Sequence, residues 1–75
     1  MQSVHLAAYR AFLDRLVSAR LDAGLTQDEV AQRLHIPQSQ VSRMETGERR
    51  VDIIELDSLA RIYRRPLSYF VPRRR

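Results

Sequence analysis

The sequence predicts an all-α protein built from five short helices. Three observations carry that expectation. Glycine and proline occur only at Gly24, Pro37, Gly47, Pro66 and Pro72, and they divide the chain into pieces of helical length. Within those pieces apolar residues recur at three-four spacing. No Val/Ile/Tyr run alternates long enough to make a strand.

The first helix is predicted over residues 4–23. Leu6, Tyr9, Leu13, Leu16 and Arg20 follow the helical spacing, and Phe12, Val17 and Leu21 widen the stripe. Gly24 supplies a stop. The second helix opens at Thr26, with Glu29 three residues on. That is the capping-box pattern, in which each side chain satisfies the other's backbone N–H. Val30, Ala31 and Leu34 form its inner side. After His35, Ile36 and Pro37, a third helix is expected over residues 38–46, ended by Gly47. Asp52 with Glu55 repeats the capping-box pattern before a fourth helix marked by Ile53, Leu56, Leu59, Ala60 and Tyr63. Pro66 suits the first turn of a last helix over residues 67–71. The second and third helices are only about three residues apart. Two short helices joined so tightly form a helix-turn-helix unit.

A chain of 75 residues makes one domain, here residues 1–72, with 73–75 as a basic tail expected to be disordered when unbound. Cysteine is absent, so neither a disulfide framework nor a thiolate metal site is available. His5 and His35 are too few to hold zinc, and no cofactor is expected. No apolar run is long enough for a signal peptide or a membrane span, which makes the expected location cytoplasmic. An enzyme is not expected: there is no Ser/His/acid set and no glycine-rich phosphate loop. Asp28 and Glu29 are explained by the favourable field at a helix N-terminus.

The net charge is +4, and all 13 basic residues are arginine. Arginine's planar fork of donors suits phosphate and guanine, although a GC-rich genome would also favour arginine over lysine. The charge is uneven. Residues 1–25 sum to +1, residues 26–45 to −1 and residues 46–75 to +4.

The third helix is the unusual element. On a wheel of about 100° per residue, Val41 and Met44 make a thin apolar side, with Gln38, Ser39, Ser42 and Arg43 opposite and Gln40 on the flank. An ordinary solvated face carries Glu, Lys and Arg. This one carries Gln, Ser and Arg, which match base edges: Gln suits adenine, Arg suits guanine and Ser suits either. An isolated string of this kind would read as a merely polar surface. Behind a capped helix and a tight turn it reads as a recognition helix. Arg49 and Arg50 follow Gly47, and at least one is expected to touch phosphate; a solvated turn explains Arg50 equally well.

The stretch "LTQDEVAQRLHIPQSQVSRMETGERR" resembles the helix-turn-helix of the Cro and phage-repressor type, the XRE family. "VDIIELDSLARIYRRPLSYF" is similar to the fourth and fifth helices of small regulators in that family, so the resemblance covers residues 16–70. It implies a compact five-helix bundle of the lambda-repressor-like type. The implied activity is sequence-specific binding of a pseudo-palindromic double-stranded DNA operator by a homodimeric transcription regulator, expected to be a repressor. Position by position, Gln38, Ser39, Ser42 and Arg43 match base-facing residues. Gln27 matches the glutamine that bonds a phosphate and buttresses the recognition helix. Thr26, Gln40 and Thr46 match positions near the sugar-phosphate backbone, and Arg20 with Glu45 match a structural ion pair. Leu67, Tyr69, Phe70 and Val71 are the candidates for a dimer interface, with one side inward and the other toward the partner. Relatives that act as antitoxins, or as partners of a separately encoded toxin or protease, supply the alternative. Two departures from the family pattern stand out. His35 occupies a turn position that commonly holds glycine, where a left-handed backbone is strained for other residues. Pro37 replaces the usual Ser/Thr cap, leaving N–H groups of the third helix without a side-chain acceptor.

Overall fold

A computed structural model describes residues 4–72, with side chains from residue 6 onward. The basic tail at 73–75 and the His5 side chain lie outside the described residues. The chain forms α1 (Val4–Asp22), α2 (Gln27–Leu34), α3 (Gln38–Thr46), α4 (Ile53–Tyr63) and α5 (Leu67–Phe70). None of these helices is long and apolar enough to cross a membrane.

Local chemistry accounts for most boundaries. Thr26 and Asp52 each accept a hydrogen bond from the N–H three residues on, and Glu29 and Glu55 reach back to close both capping boxes. The ends of α2 and α4 are built alike. His35 (φ 60°) and Arg64 (φ 58°) take the left-handed conformation. The N–H after each of them then bonds back to a helix carbonyl: Ile36 to Ala31 at 3.1 Å and Arg65 to Ala60 at 3.0 Å. In both turns a proline follows two residues later, at the N-cap of the next helix. Neither proline gives a side-chain cap, as expected for Pro37. α1 ends one residue earlier than predicted, because Gly24 turns at φ 73° and lets Leu25 bond back to Arg20. α5 also ends a residue early. Val71 precedes Pro72, whose ring disfavours helical backbone before it, and Val71 is extended.

The core gathers Leu16, Ala19, Val30, Ala31, Val41, Met44, Leu56, Leu59, Ala60, Tyr63 and Phe70 from all five helices. Several expectations about the core are corrected. Leu6 is exposed, because it lies in the first turn of α1, ahead of Phe12, the first α1 side chain packed against the buried cluster. Leu21 is exposed because it lies about 140° round the helix from Leu16. Ile53, on the first turn of α4, is 64 % exposed, and Val51 packs in its place. Phe70 was a dimer candidate, yet it is wholly buried in its own chain, edge-on to Tyr69 at 5.0 Å. A ring that fills the monomer's core cannot also face a partner. Truncating it to alanine would cost about 3–5 kcal/mol, most of what so small a domain has.

Gly47 sits where α3 must stop and α1 passes close by. Its φ is 90°, and a Cβ there would come within 3.0 Å of Leu13 Cδ1. Glycine meets both demands at once.

Candidate nucleic-acid interface

α2 and α3 pack against each other, and α1 lies behind α3. Val41 and Met44 anchor the inner side of α3. That leaves Gln38, Ser39 and Arg43 exposed and Ser42 and Gln40 half-exposed along one outer face. The four residues expected to read bases therefore share one surface. Arg43 is barely restrained, with Glu48 at 3.9 Å and both side chains mostly in solvent.

Behind this surface runs a chain of hydrogen bonds. Arg20 donates from Nε to Glu45 Oε2 at 2.7 Å and from Nη2 to Oε1 at 3.1 Å. Its remaining nitrogen, Nη1, donates to the Leu25 carbonyl at 3.0 Å, tying α1 to the start of the α2 turn. The pair is largely buried, with side-chain exposures of 13 % and 7 %. Burying charge is costly, so such a pair sets orientation more than it adds stability, while removing one partner costs about 3–5 kcal/mol. The bond to Glu45 raises the Arg20 guanidinium above its ordinary value despite burial. Burial first, and then the Glu45 charge, pushes the neighbouring Tyr63 phenol up, so it stays neutral. The chain continues outward. Gln27 Nε2 donates to Glu45 Oε1 at 2.8 Å, and Gln38 Nε2 donates to Gln27 Oε1 at 2.7 Å. The first residue of α2 thus holds the first residue of α3. The bond from Gln27 to Glu45 has no signal in the sequence, because it joins positions 18 apart with no periodicity between them.

The backbone candidates divide. Thr26 is exposed but its hydroxyl is engaged in the capping box, accepting from Glu29 N–H at 3.1 Å. Thr46 is exposed and donates to the Arg43 carbonyl at 3.2 Å. Arg50 is exposed, with its guanidinium 4.4 Å above the Tyr9 ring. Arg49 departs from expectation. Both arms of its fork are taken by Glu55, at 3.1 and 2.5 Å, so it braces the α3–α4 loop instead of reaching outward. Nothing in the sequence marks Arg10, yet it lines a shallow depression with Leu13, Asp14, Glu45 and Thr46 at the far end of α3.

A family model described as helix-turn-helix matches residues 16–70, which take in α2 to α5 and the end of α1 with Arg20. The chain belongs to the XRE-family helix-turn-helix proteins. A solved structure of an XRE-family like protein from Pseudomonas syringae pv. tomato str. DC3000 is similar at 45 % identity and a TM-score of 0.83, covering 89 % of this chain and 82 % of that one. No curated protein sequence matches. Family and fold together make this XRE-family chain a DNA-binding transcription regulator, with the expected five-helix, all-α architecture.

Proposed function

We propose that the protein binds an operator in double-stranded DNA as a homodimer and represses transcription, reading the major groove with α3. One observation carries the reading: Gln38, Ser39, Ser42 and Arg43 stand together on the outer face of α3, over a bonded scaffold that holds Gln38 in place. Ser39 and Ser42 are short enough to let the helix approach the bases, and Gln and Arg have the donor patterns that base edges require. Phosphate contacts position the domain. Thr26, Gln27, Gln40 and Thr46 border the reading face; Arg10 adds a cation at the far end of α3, in a depression shared with Asp14 and Glu45, and Arg50 adds one on the α3–α4 loop, above Tyr9. Arg10 and Arg50 are the cations proposed to hold phosphate, which would set α1 and the α3–α4 loop against the negative balance of residues 26–45.

A single α3 spans only a few base pairs, so two copies would read half-sites roughly 34 Å apart. Val71 is 60 % exposed and lines an apolar groove with Tyr9, Phe12 and Ile53. This surface suits a second copy; Leu67 is exposed as well, whereas the Tyr69 ring is half-buried between Arg15 and Arg65. A toxin or protease partner would use the same surface without disturbing α3.

Gel-shift titrations with cognate and scrambled duplexes test the reading. Gln38→Ala and Arg43→Ala lower the preference for cognate DNA, each by about 1–3 kcal/mol, and affect scrambled DNA little. Arg50→Ala weakens both duplexes alike and makes the salt dependence shallower by about one unit of slope. Equal losses on both duplexes for all three variants would remove the assignment.

A further inference from the structure

Glu45 does more than complete an ion pair. An ionised carboxylate only accepts hydrogen bonds. Gln27 must therefore face Glu45 with Nε2, as it does at 2.8 Å. That turns Gln27 Oε1 toward Gln38, and an acceptor there must be met by a donor, Gln38 Nε2 at 2.7 Å. One charged group thus dictates which way two successive amides point.

The consequence falls on Gln38, which is left with a whole carbonyl oxygen and a single N–H to offer outward. One acceptor beside one donor complements adenine, whose edge presents the N6 amino group and N7. Guanine presents two acceptors, N7 and O6, and calls for two donors. A glutamine free to turn over could satisfy either base. Held by Gln27, this one cannot offer both of its N–H groups.

We propose that Glu45 is a specificity-determining positioning residue, which sets the direction of the Gln27–Gln38 amide chain and so makes Gln38 select adenine over guanine. This rests on the reading of α3 as the groove-reading helix. Glu45→Leu shows how the direction would be lost. Oε1 of Glu45 accepts from both Arg20 Nη2 and Gln27 Nε2, so without the carboxylate Gln27 has no acceptor at position 45 to face. Gln27 is then free to turn over, Gln38 with it, and both Gln38 N–H groups become available outward.

The experiment is selection of bound duplexes from a random pool by the wild type, Gln38→Ala, Glu45→Leu and Gln27→Met. Loss of preference in Gln38→Ala identifies the base that Gln38 reads. At that base the wild type selects adenine. The adenine-to-guanine ratio there falls about tenfold in Glu45→Leu and in Gln27→Met, while preferences at the other positions persist. A purely structural role would lower affinity evenly and leave the ratio at this one position unmoved. Gln27→Met keeps the Arg20–Glu45 pair, so the proposal stays testable if Glu45→Leu does not fold. Wild-type selection of guanine at that base overturns the proposal, as does an unchanged ratio in the variants. If Gln38→Ala alters no position, the proposal falls while the regulator reading stands. If the wild type selects no sequence at all, both fall together.

Discussion

His35 and Arg64 carry the same burden at two turns. Each is a non-glycine residue in the left-handed region, and each lets the next N–H bond back to a helix carbonyl. That conformation costs an ordinary residue about 1–2 kcal/mol, partly offset by the greater freedom glycine would lose on folding. His35→Gly and Arg64→Gly are therefore expected to stabilise the protein by about 0.5–1 kcal/mol each, read as a higher urea midpoint with unchanged slope. Gly47→Ala runs the other way and by more, because it adds a contact with Leu13 at 3.0 Å to the conformational strain. A lower midpoint for His35→Gly would mean that the imidazole makes a compensating contact. The departure from glycine at position 35 was visible in the sequence. The matching strain at Arg64 was not, because "RRP" carries no turn signal beyond its proline.

At the scale of elements, the two capping boxes and the Arg49–Glu55 pair make helix starts sensitive to acid. The fork of Arg49, and then the backbone bond from Asp52, hold the Glu55 carboxyl below its ordinary value of 4.5. The Thr26 N–H, and then its hydroxyl, do the same for Glu29. A carboxylate whose folded value is depressed stabilises fully above its unfolded value. That contribution is lost as pH falls through the folded value. Thermal midpoints followed by circular dichroism should hold steady from neutral pH down to about 4.5 and then decline. Glu55→Gln should lower the midpoint at neutral pH and flatten the decline, and an identical acid limb in the variant would show that Glu55 is not its source. These boxes also explain what was legible. Where a boundary depends on residues three or four apart, as at Thr26, Asp52 and Gly47, the sequence displays it. Where it depends on what another helix covers, as at Leu6, Ile53 and Phe70, spacing alone gives the stripe but not its partner. The candidate site follows the same division: the outer face of α3 follows from a helical wheel, whereas Arg49 turning to Glu55 and Gln27 reaching Glu45 depend on how elements meet.

At the scale of the whole molecule, the proposed dimer has to be reconciled with Phe70 pointing inward. Only the outer side of the C-terminal segment remains for a partner, and Val71 with Ile53 supplies its apolar part. Both residues are exposed in the monomer, so replacing either with aspartate leaves the fold intact while placing a charge where a second copy would sit. Sedimentation equilibrium is expected to give twice the 8.8 kDa chain mass for the wild type and the single-chain mass for Val71→Asp and Ile53→Asp. On DNA the loss should be selective. A duplex with one half-site should bind each variant as it binds the wild type. A duplex with two correctly spaced half-sites should lose the roughly 10²–10⁴-fold gain that linkage of two reading heads provides. A wild type that stays at 8.8 kDa both free and on two-half-site DNA would remove the dimer, and would assign the Val71–Ile53 surface to a different protein partner.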